Sequence, residues 1–171
     1  MDKITQKISR VLEVFLIILM AVMVLDVTWQ VFTRFVLKDP SSFTEELAGF
    51  LLIWIGLLGG SYAVYSKAHL GIDMLLRKLE GTARDRLVMI INTFVILFSF
   101  FILVVGGLRL VNLTFKLQQI SPAMGLPMGY VYIVLPLTGV LMIYYSIFHL
   151  LKAARHQDEG PEKDLPVTAL D

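Results

Sequence analysis

Asp26 is the one acid well inside a long apolar run of this sequence, and an intramembrane carboxylate is costly enough to mark a candidate for function. Gln30 and Thr33 follow at four and three residues, so a helix would carry all three on one face. Such a stripe suits two chemistries: a proton carried by the carboxylate, or packing against a helix that offers hydrogen-bond donors. Packing is the commoner use of polar residues lined up along a membrane helix, and it is the reading adopted for Asp26, Gln30 and Thr33. A second acidic pair, Glu45 and Glu46, stands behind Ser41, Ser42 and Thr44. Acids in a first helical turn complement the helix dipole, and Ser42 with Glu45 has the spacing of a capping box. The other acid is then available to Arg34, Arg109 or Lys116, or to a partner subunit. Arg34 and Arg109 can equally reach headgroups from within apolar surroundings. His69, His149 and His156 lack ligand spacing, there is no cysteine, and no Ser/His/Asp or glycine-rich phosphate arrangement is present. The expectation is a protein that is not an enzyme and binds no metal or cofactor of its own.

The elements that must hold these residues are set by composition. Of 171 residues 57% are hydrophobic and only 17% charged, with a mean hydropathy of +0.75. Soluble domains run at about 45–50% apolar and about 25% charged, so much of this surface meets something other than water. A net charge of +1 lacks the basic surplus of a nucleic-acid binder. The apolar residues gather into four runs, about 11–35, 47–65, 87–114 and 130–151. Each is close to or beyond the roughly 20 residues that span hydrocarbon as a helix. The first is too long for a signal-peptide core and is read as retained. The fold class expected is an all-α membrane protein of four transmembrane helices over 1–155, followed by a polar, disordered cytoplasmic tail over 156–171.

Eleven of the fifteen Lys and Arg residues fall at the terminal end and in the 66–86 link, and only Arg34, Lys38, Arg109 and Lys116 on the other side. The positive-inside rule then puts both termini in the cytoplasm. Tyr130 and Tyr132 at one end of the last run, and Tyr144 and Tyr145 at the other, suit interfacial aromatic belts. Both external loops, 36–44 and 116–129, are too short to fold a receptor domain, so recognition of a soluble ligand falls to another chain. In the link, Ile72, Leu75, Leu76 and Leu79 repeat at helical spacing opposite Asp73, Arg77, Lys78 and Glu80, which predicts a short interfacial amphipathic helix. Thr82 and Asp85 resemble a capping box for the third helix. Gly49, Gly56, Gly60 and Ala63 share one face of the second helix, with Gly56 and Gly60 in GxxxG spacing, and such a face admits a close neighbour. Pro136, with Gly139 after it, should kink the fourth helix or loosen its bonding.

A transporter of hydrophilic solutes needs several polar groups near the midplane, often on broken helices. Here one acid, a few amides and hydroxyls, and largely smooth helices describe a wall or scaffold. The competing class is a small dimeric proton-coupled exporter using Asp26.

Three segments carry a family resemblance that covers nearly the whole chain. They are Phe43-Thr44-Glu45-Glu46-Leu47-Ala48 leading to Leu52-Ile53-Trp54-Ile55-Gly56, then Ala68-His69-Leu70-Gly71-Ile72-Asp73, then Ser121-Pro122-Ala123-Met124-Gly125-Leu126-Pro127-Met128-Gly129-Tyr130-Val131-Tyr132 running to Leu135-Pro136. In this order, among four helices, the chain resembles the small (DctQ-like) membrane subunit of tripartite ATP-independent periplasmic (TRAP) transporters. Gly129 stands where many members have a Trp. The resemblance implies a bacterial inner-membrane protein paired with a large membrane subunit that holds the substrate and sodium sites. It also implies a periplasmic substrate-binding protein docking on the outer face, and a small subunit that enlarges the scaffold against which an elevator moves. The family's substrates are mostly organic acids, and the likeness leans toward a sialic-acid system over a C4-dicarboxylate one. No substrate-binding residue is expected in this chain. The residues expected at partner interfaces are Asp26, Gln30 and Arg34; Glu45 and Glu46; Gly49, Gly56 and Gly60; Arg109; and Ser121, Pro122 and Pro127.

Overall fold

Backbone groups in hydrocarbon have no water to bond, so apolar runs of this length close their hydrogen bonds within helices. The structure is a computed structural model. It describes residues 2–39, 41–66 and 82–158, with side chains over 3–39, 41–66 and 86–151. Helix α1 is Asp2–Phe32 and ends in a π-helical segment, Thr33–Leu37. Helix α2 is Ser42–Tyr65. The third run begins as α3, Thr82–Phe98, widens into a π-helical stretch, Ser99–Gly106, and finishes as α4, Gly107–Lys116. The fourth opens with the short α5, Met128–Tyr132, breaks at Ile133 and continues as α6, Val134–Asp158. Four stretches are long and apolar enough to cross a membrane: Lys3–Leu37, Ser42–Tyr65, Arg86–Lys116 and Met128–Leu151. The four expected spans are therefore present, in a multi-pass membrane protein. The amphipathic helix expected in the 66–86 link falls on residues 67–81, outside the described residues, as do the side chains of Thr82 and Asp85. Helix α6 runs three residues into the expected tail, and 159–171 lie outside the described residues.

Helix α1 packs chiefly on α2, α2 on α6, and α6 on α3 and its π-helical stretch. Along α1, residues 5, 9, 12, 16, 19, 23, 26, 30 and 33 are all buried or half-buried, at alternating spacings of four and three. That 3.5-residue period is the seam of a left-handed helix pair. The helices leave most of their perimeter uncovered: 11% of the apolar window of the first span is buried, and 33% of that of the last. The chain is thus an open wall of helices with a large face for lipid or another protein.

At the terminal end, polar groups knit three helices together. Thr5 Oγ1 lies 3.0 Å from the Tyr144 hydroxyl, and Ser9 donates to the Thr5 carbonyl at 2.8 Å while standing 3.3 Å from the Tyr145 hydroxyl. His149 Nε2 is 3.2 Å from the Tyr65 carbonyl, and the Tyr65 and Tyr145 rings are 5.2 Å apart. Tyr145 is fully buried in the core with Leu12, Leu58, Val64 and Val134. The sequence expectation of an interfacial belt fails for Tyr145: its hydroxyl finds Ser9 inside the bundle and has no need of the headgroups.

The third and fourth runs meet more closely than any other feature of the sequence suggests. A methyl group on Gly139 would stand 2.8 Å from Val104 Cγ2, 2.9 Å from Leu103 Cβ and 3.2 Å from the Ser99 carbonyl oxygen. One on Gly107 would stand 2.9 Å from Leu135 Cβ and 3.0 Å from Pro136 Cδ. The π-helical stretch lies opposite this joint, so the expected smooth third helix is widened where α6 presses on it. Pro136 loosens its helix as expected: without an N–H it cannot bond the carbonyl four residues back, at Tyr132, and the helix breaks at the next residue, Ile133. Beside that break the Trp54 indole of α2 donates to the Val131 carbonyl at 3.1 Å, tying α2 to the loosened turn.

Candidate functional site

The loop end, opposite the termini, is where chemistry-bearing side chains converge. Between α4 and α5 the chain doubles back. The Met128 N–H bonds the Gln119 carbonyl and the Ser121 N–H bonds the Leu126 carbonyl, each at 2.9 Å, around an antiparallel bridge from Ile120 to Pro127. Gly125 closes the turn, its N–H on the Ser121 carbonyl at 2.9 Å and its φ at +66°, a left-handed conformation that costs glycine little. Pro127 caps α5 in extended conformation and Pro122 is exposed at the turn.

Glu46, one turn into α2, holds this loop. Its carboxylate accepts hydrogen bonds from the Ser121 hydroxyl, from the Ala123 N–H at 3.1 and 3.2 Å, and from the Met124 N–H at 3.2 Å. The Ser121 oxygen accepts from the Met124 N–H as well, at 3.2 Å, and Ser121 is almost wholly buried. Three donors from one turn converge on one charge, an arrangement that fixes geometry as well as adding energy. Glu46→Gln keeps the shape but removes the charge and turns an amide NH2 toward donors. The expected outcome is hydrogen exchange at the Ala123 and Met124 amides faster by about tenfold or more, read by mass spectrometry on the intact complex. Unchanged protection would show that the turn holds itself.

The other sequence candidates sort around this lock. The capping box expected from Ser42 and Glu45 does not form. Ser41 is the N-cap, with no side-chain cap bond, and Glu45 is exposed, its N–H on the Ser41 carbonyl at 3.4 Å. The helix begins one residue early for that pairing. Thr44 is buried and donates to the Ser41 carbonyl at 2.9 Å. Arg34 and Arg109 are exposed, and neither forms an ion pair with Glu45 or Glu46 among the described residues. Asp26 is nine-tenths buried in the α1 seam, with Gln30 half-buried and Thr33 buried on the same face. Its Oδ2 is enclosed and has no hydrogen-bond partner among the described residues. Gly49 and Gly56 are exposed with open space where a Cβ would be, and Gly60 meets only the flexible end of Met142 at 3.3 Å. Among the described residues the glycine face of α2 is thus open at Gly49 and Gly56 and meets Met142 at Gly60; the closest approaches are at Gly107, Gly129 and Gly139.

Sequence reasoning passed over two features. Asp39 looked like a loop residue, yet it lines an open cleft of about 640 Å³ with Thr33, Leu37, Ser41, Ser42, Phe43 and Ala123. The Glu46 lock itself was missed as a pairing. The signal was the Ser-Pro-x-x-Gly turn, whose free N–H groups need an acceptor from elsewhere.

A seam of packed helices and a locked loop are what the described residues bring together. The family described as "Tripartite ATP-independent periplasmic transporters, DctQ component" matches residues 19–156, which takes in the second half of the first span, the other three spans and the locked loop. The chain belongs to the DctQ family. As a DctQ chain it is a TRAP transporter small permease subunit, a transport component and not an enzyme. It is 32% identical over 149 residues to the sialic acid TRAP transporter small permease protein SiaQ of Vibrio cholerae, covering 85% of this chain and 84% of that protein. It is 28% identical over 121 residues to the C4-dicarboxylate TRAP transporter small permease protein DctQ of Rhodobacter capsulatus, covering 68% and 53%. It also matches part of the sialic acid TRAP transporter permease protein SiaT of Haemophilus influenzae, at 30% identity over 122 residues, covering 69% of this DctQ chain and 19% of that much longer protein.

Proposed function

We propose that this chain is the scaffold subunit of a sodium-coupled TRAP transporter of the bacterial inner membrane, importing an organic acid that a periplasmic binding protein delivers. The observation that carries this reading is the open wall: helices barely buried against one another, with most of their apolar perimeter left for a partner. A large permease subunit is that partner, and the match to a stretch of the longer SiaT protein supports the pairing. The substrate and sodium sites belong to the large subunit, and this chain takes no cofactor. Both termini lie in the cytoplasm, by the distribution of Lys and Arg. The likeness to the Vibrio cholerae protein favours sialic acid as the solute. Deleting this chain while keeping the large subunit and binding protein is expected to abolish sodium-driven sialic acid uptake, with recovery when it is supplied again. Uptake that persists without it overturns the reading.

The unpaired Oδ2 of Asp26 is the specific observation on the side of a proton-coupled exporter. Asp26→Asn separates the two. A packing role predicts sodium-driven uptake within about twofold of the parent, since an amide can sit in the same seam. A proton-carrying role predicts its loss. The face carrying Gly49 and Gly56 is assigned to the large subunit. Gly56→Leu, which has open space in this chain, is expected to leave the subunit folded and to lower the yield of the hetero-complex. Undiminished complex removes that assignment.

A further inference from the structure

The third span stands at one edge of the wall, packed on the fourth, with α4 against α5 and α6. Its loop end carries Arg109 and Lys116, two of the four basic residues on that side of the bundle. Both are exposed, and neither side chain has an ion pair or hydrogen bond among the described residues. The sequence supplies no acid on the elements beside them. From residue 87 to residue 157 there is no Asp or Glu, so the third and fourth spans and the locked turn hold no counter-ion. Glu46, which reaches the turn from α2, is occupied by Ser121, Ala123 and Met124.

Depth makes the missing anion matter. Lys116 ends the membrane-capable stretch Arg86–Lys116, and Arg109 lies about 10 Å further in at 1.5 Å per residue. A bilayer has about 5–7 Å of headgroup layer on each side of about 30 Å of hydrocarbon. With Lys116 at the water side, Arg109 stands at the edge of the hydrocarbon. An unpaired guanidinium is costly there, and an anion at headgroup level offsets that cost.

The face around the two cations has the polarity of a lipid. Phe101, Val105, Arg109, Asn112 and Lys116 follow one another at spacings of four, four, three and four, and all five are exposed. Toward the midplane this stripe is apolar; toward the loop it is cationic, with an amide between the charges. A phospholipid has the same order, with acyl chains inward and phosphate at the border. Tyr130 of α5, exposed and edge-on to the Phe115 ring at 5.3 Å, supplies an aromatic anchor at that border. Two cations with no acid beside them repel the ammonium of a zwitterionic headgroup, so the charge favours an anionic one.

We propose that this stripe is a binding site for one anionic phospholipid in the leaflet at the loop end. Arg109 takes the phosphate, Asn112 and Lys116 the headgroup above it, and Phe101 and Val105 an acyl chain.

The test uses the gently extracted assembly that contains this chain, stripped of lipid in detergent. It is titrated with dioleoylphosphatidylglycerol, and with dioleoylphosphatidylcholine as the zwitterionic control, and bound lipid is counted by native mass spectrometry. The parent is expected to hold a phosphatidylglycerol that phosphatidylcholine does not displace. Arg109→Gln and Lys116→Gln should each weaken that lipid about fivefold, and the double variant about twentyfold. Arg109→Lys, which keeps the charge, should restore most of the loss. Both side chains are exposed, so none of these changes reaches the core. Parent-like retention of phosphatidylglycerol in the double variant overturns the site. A double variant that keeps its lipid but sheds a protein partner makes a protein carboxylate the counter-ion, and overturns it as well. Equal retention of both lipids by the parent overturns the anionic assignment.

Discussion

Gly139→Leu is expected to leave no recoverable folded subunit. A single methyl at this position already falls 2.8–2.9 Å from Val104 Cγ2 and Leu103 Cβ and 3.2 Å from the Ser99 carbonyl oxygen. The Leu103 Cβ and the Ser99 oxygen belong to or adjoin the backbone of the π-helical stretch, so neither can swing aside. Overpacking by one or a few methylenes costs about 1–3 kcal/mol, and a whole isobutyl group against fixed backbone costs more. Whole domains hold only about 5–15 kcal/mol in reserve. Gly139→Ala should therefore be recovered with a lowered melting temperature, and Gly139→Leu should aggregate on extraction. Size-exclusion profiles of the gently extracted protein check both. Gly129 is a useful contrast, because a Cβ there meets the Phe115 ring at 2.5–2.7 Å, and that ring is partly exposed and able to move. Leucine at Gly139 recovered in parent-like yield would mean that the close joint between α6 and the π-helical stretch does not exist.

Tyr145→Ala is expected to be the second severe loss. The side chain is fully buried where α1, α2 and α6 meet, touching the Tyr65 and Tyr144 rings and standing beside Ser9. Emptying a buried aromatic site costs about 3–5 kcal/mol, because the walls relax only in part. Tyr145→Phe keeps the ring and gives up one contact to Ser9, whose hydroxyl still bonds the Thr5 carbonyl, so its cost is about 0.5–1.5 kcal/mol. Thermal unfolding in detergent followed by tryptophan fluorescence separates the two. Equal melting temperatures would place Tyr145 at the membrane border, as its sequence position suggests, and not in the core.

The four spans were legible because hydrocarbon leaves a helix little choice: length and apolarity alone decide it. The α1 seam was legible in part, since Asp26, Gln30 and Thr33 interrupt the apolar run at the spacing of one face. Its continuation through Thr5 and Ser9 was hidden, because hydroxyls ahead of an apolar run read as solvated helix end. The glycines misled for a physical reason. A GxxxG face states that a close approach is possible there but not that the chain itself makes it, and Gly139 and Gly107, without that spacing, make the contacts instead. The Pro136 break was foreseen from the missing N–H, whereas the π-helical widening opposite it faces Gly139, a neighbour too distant in the chain to leave a local signal. The candidate site was half visible. Glu46 and Ser121 were both chosen as residues of the outer rim, but a contact across 75 positions leaves no periodic trace in either segment. Asp39 was silent for the same reason, since only the bend after Thr33 brings it over the cleft.

The central claim is that this wall of helices works as one part of a larger membrane complex. Tagging the chain, extracting it gently from its native membrane and weighing what accompanies it tests that claim most directly. The predicted result is one large multi-spanning subunit in equal amount, released together with the tag and retained through size exclusion. A homodimer of this chain with no such partner would contradict it.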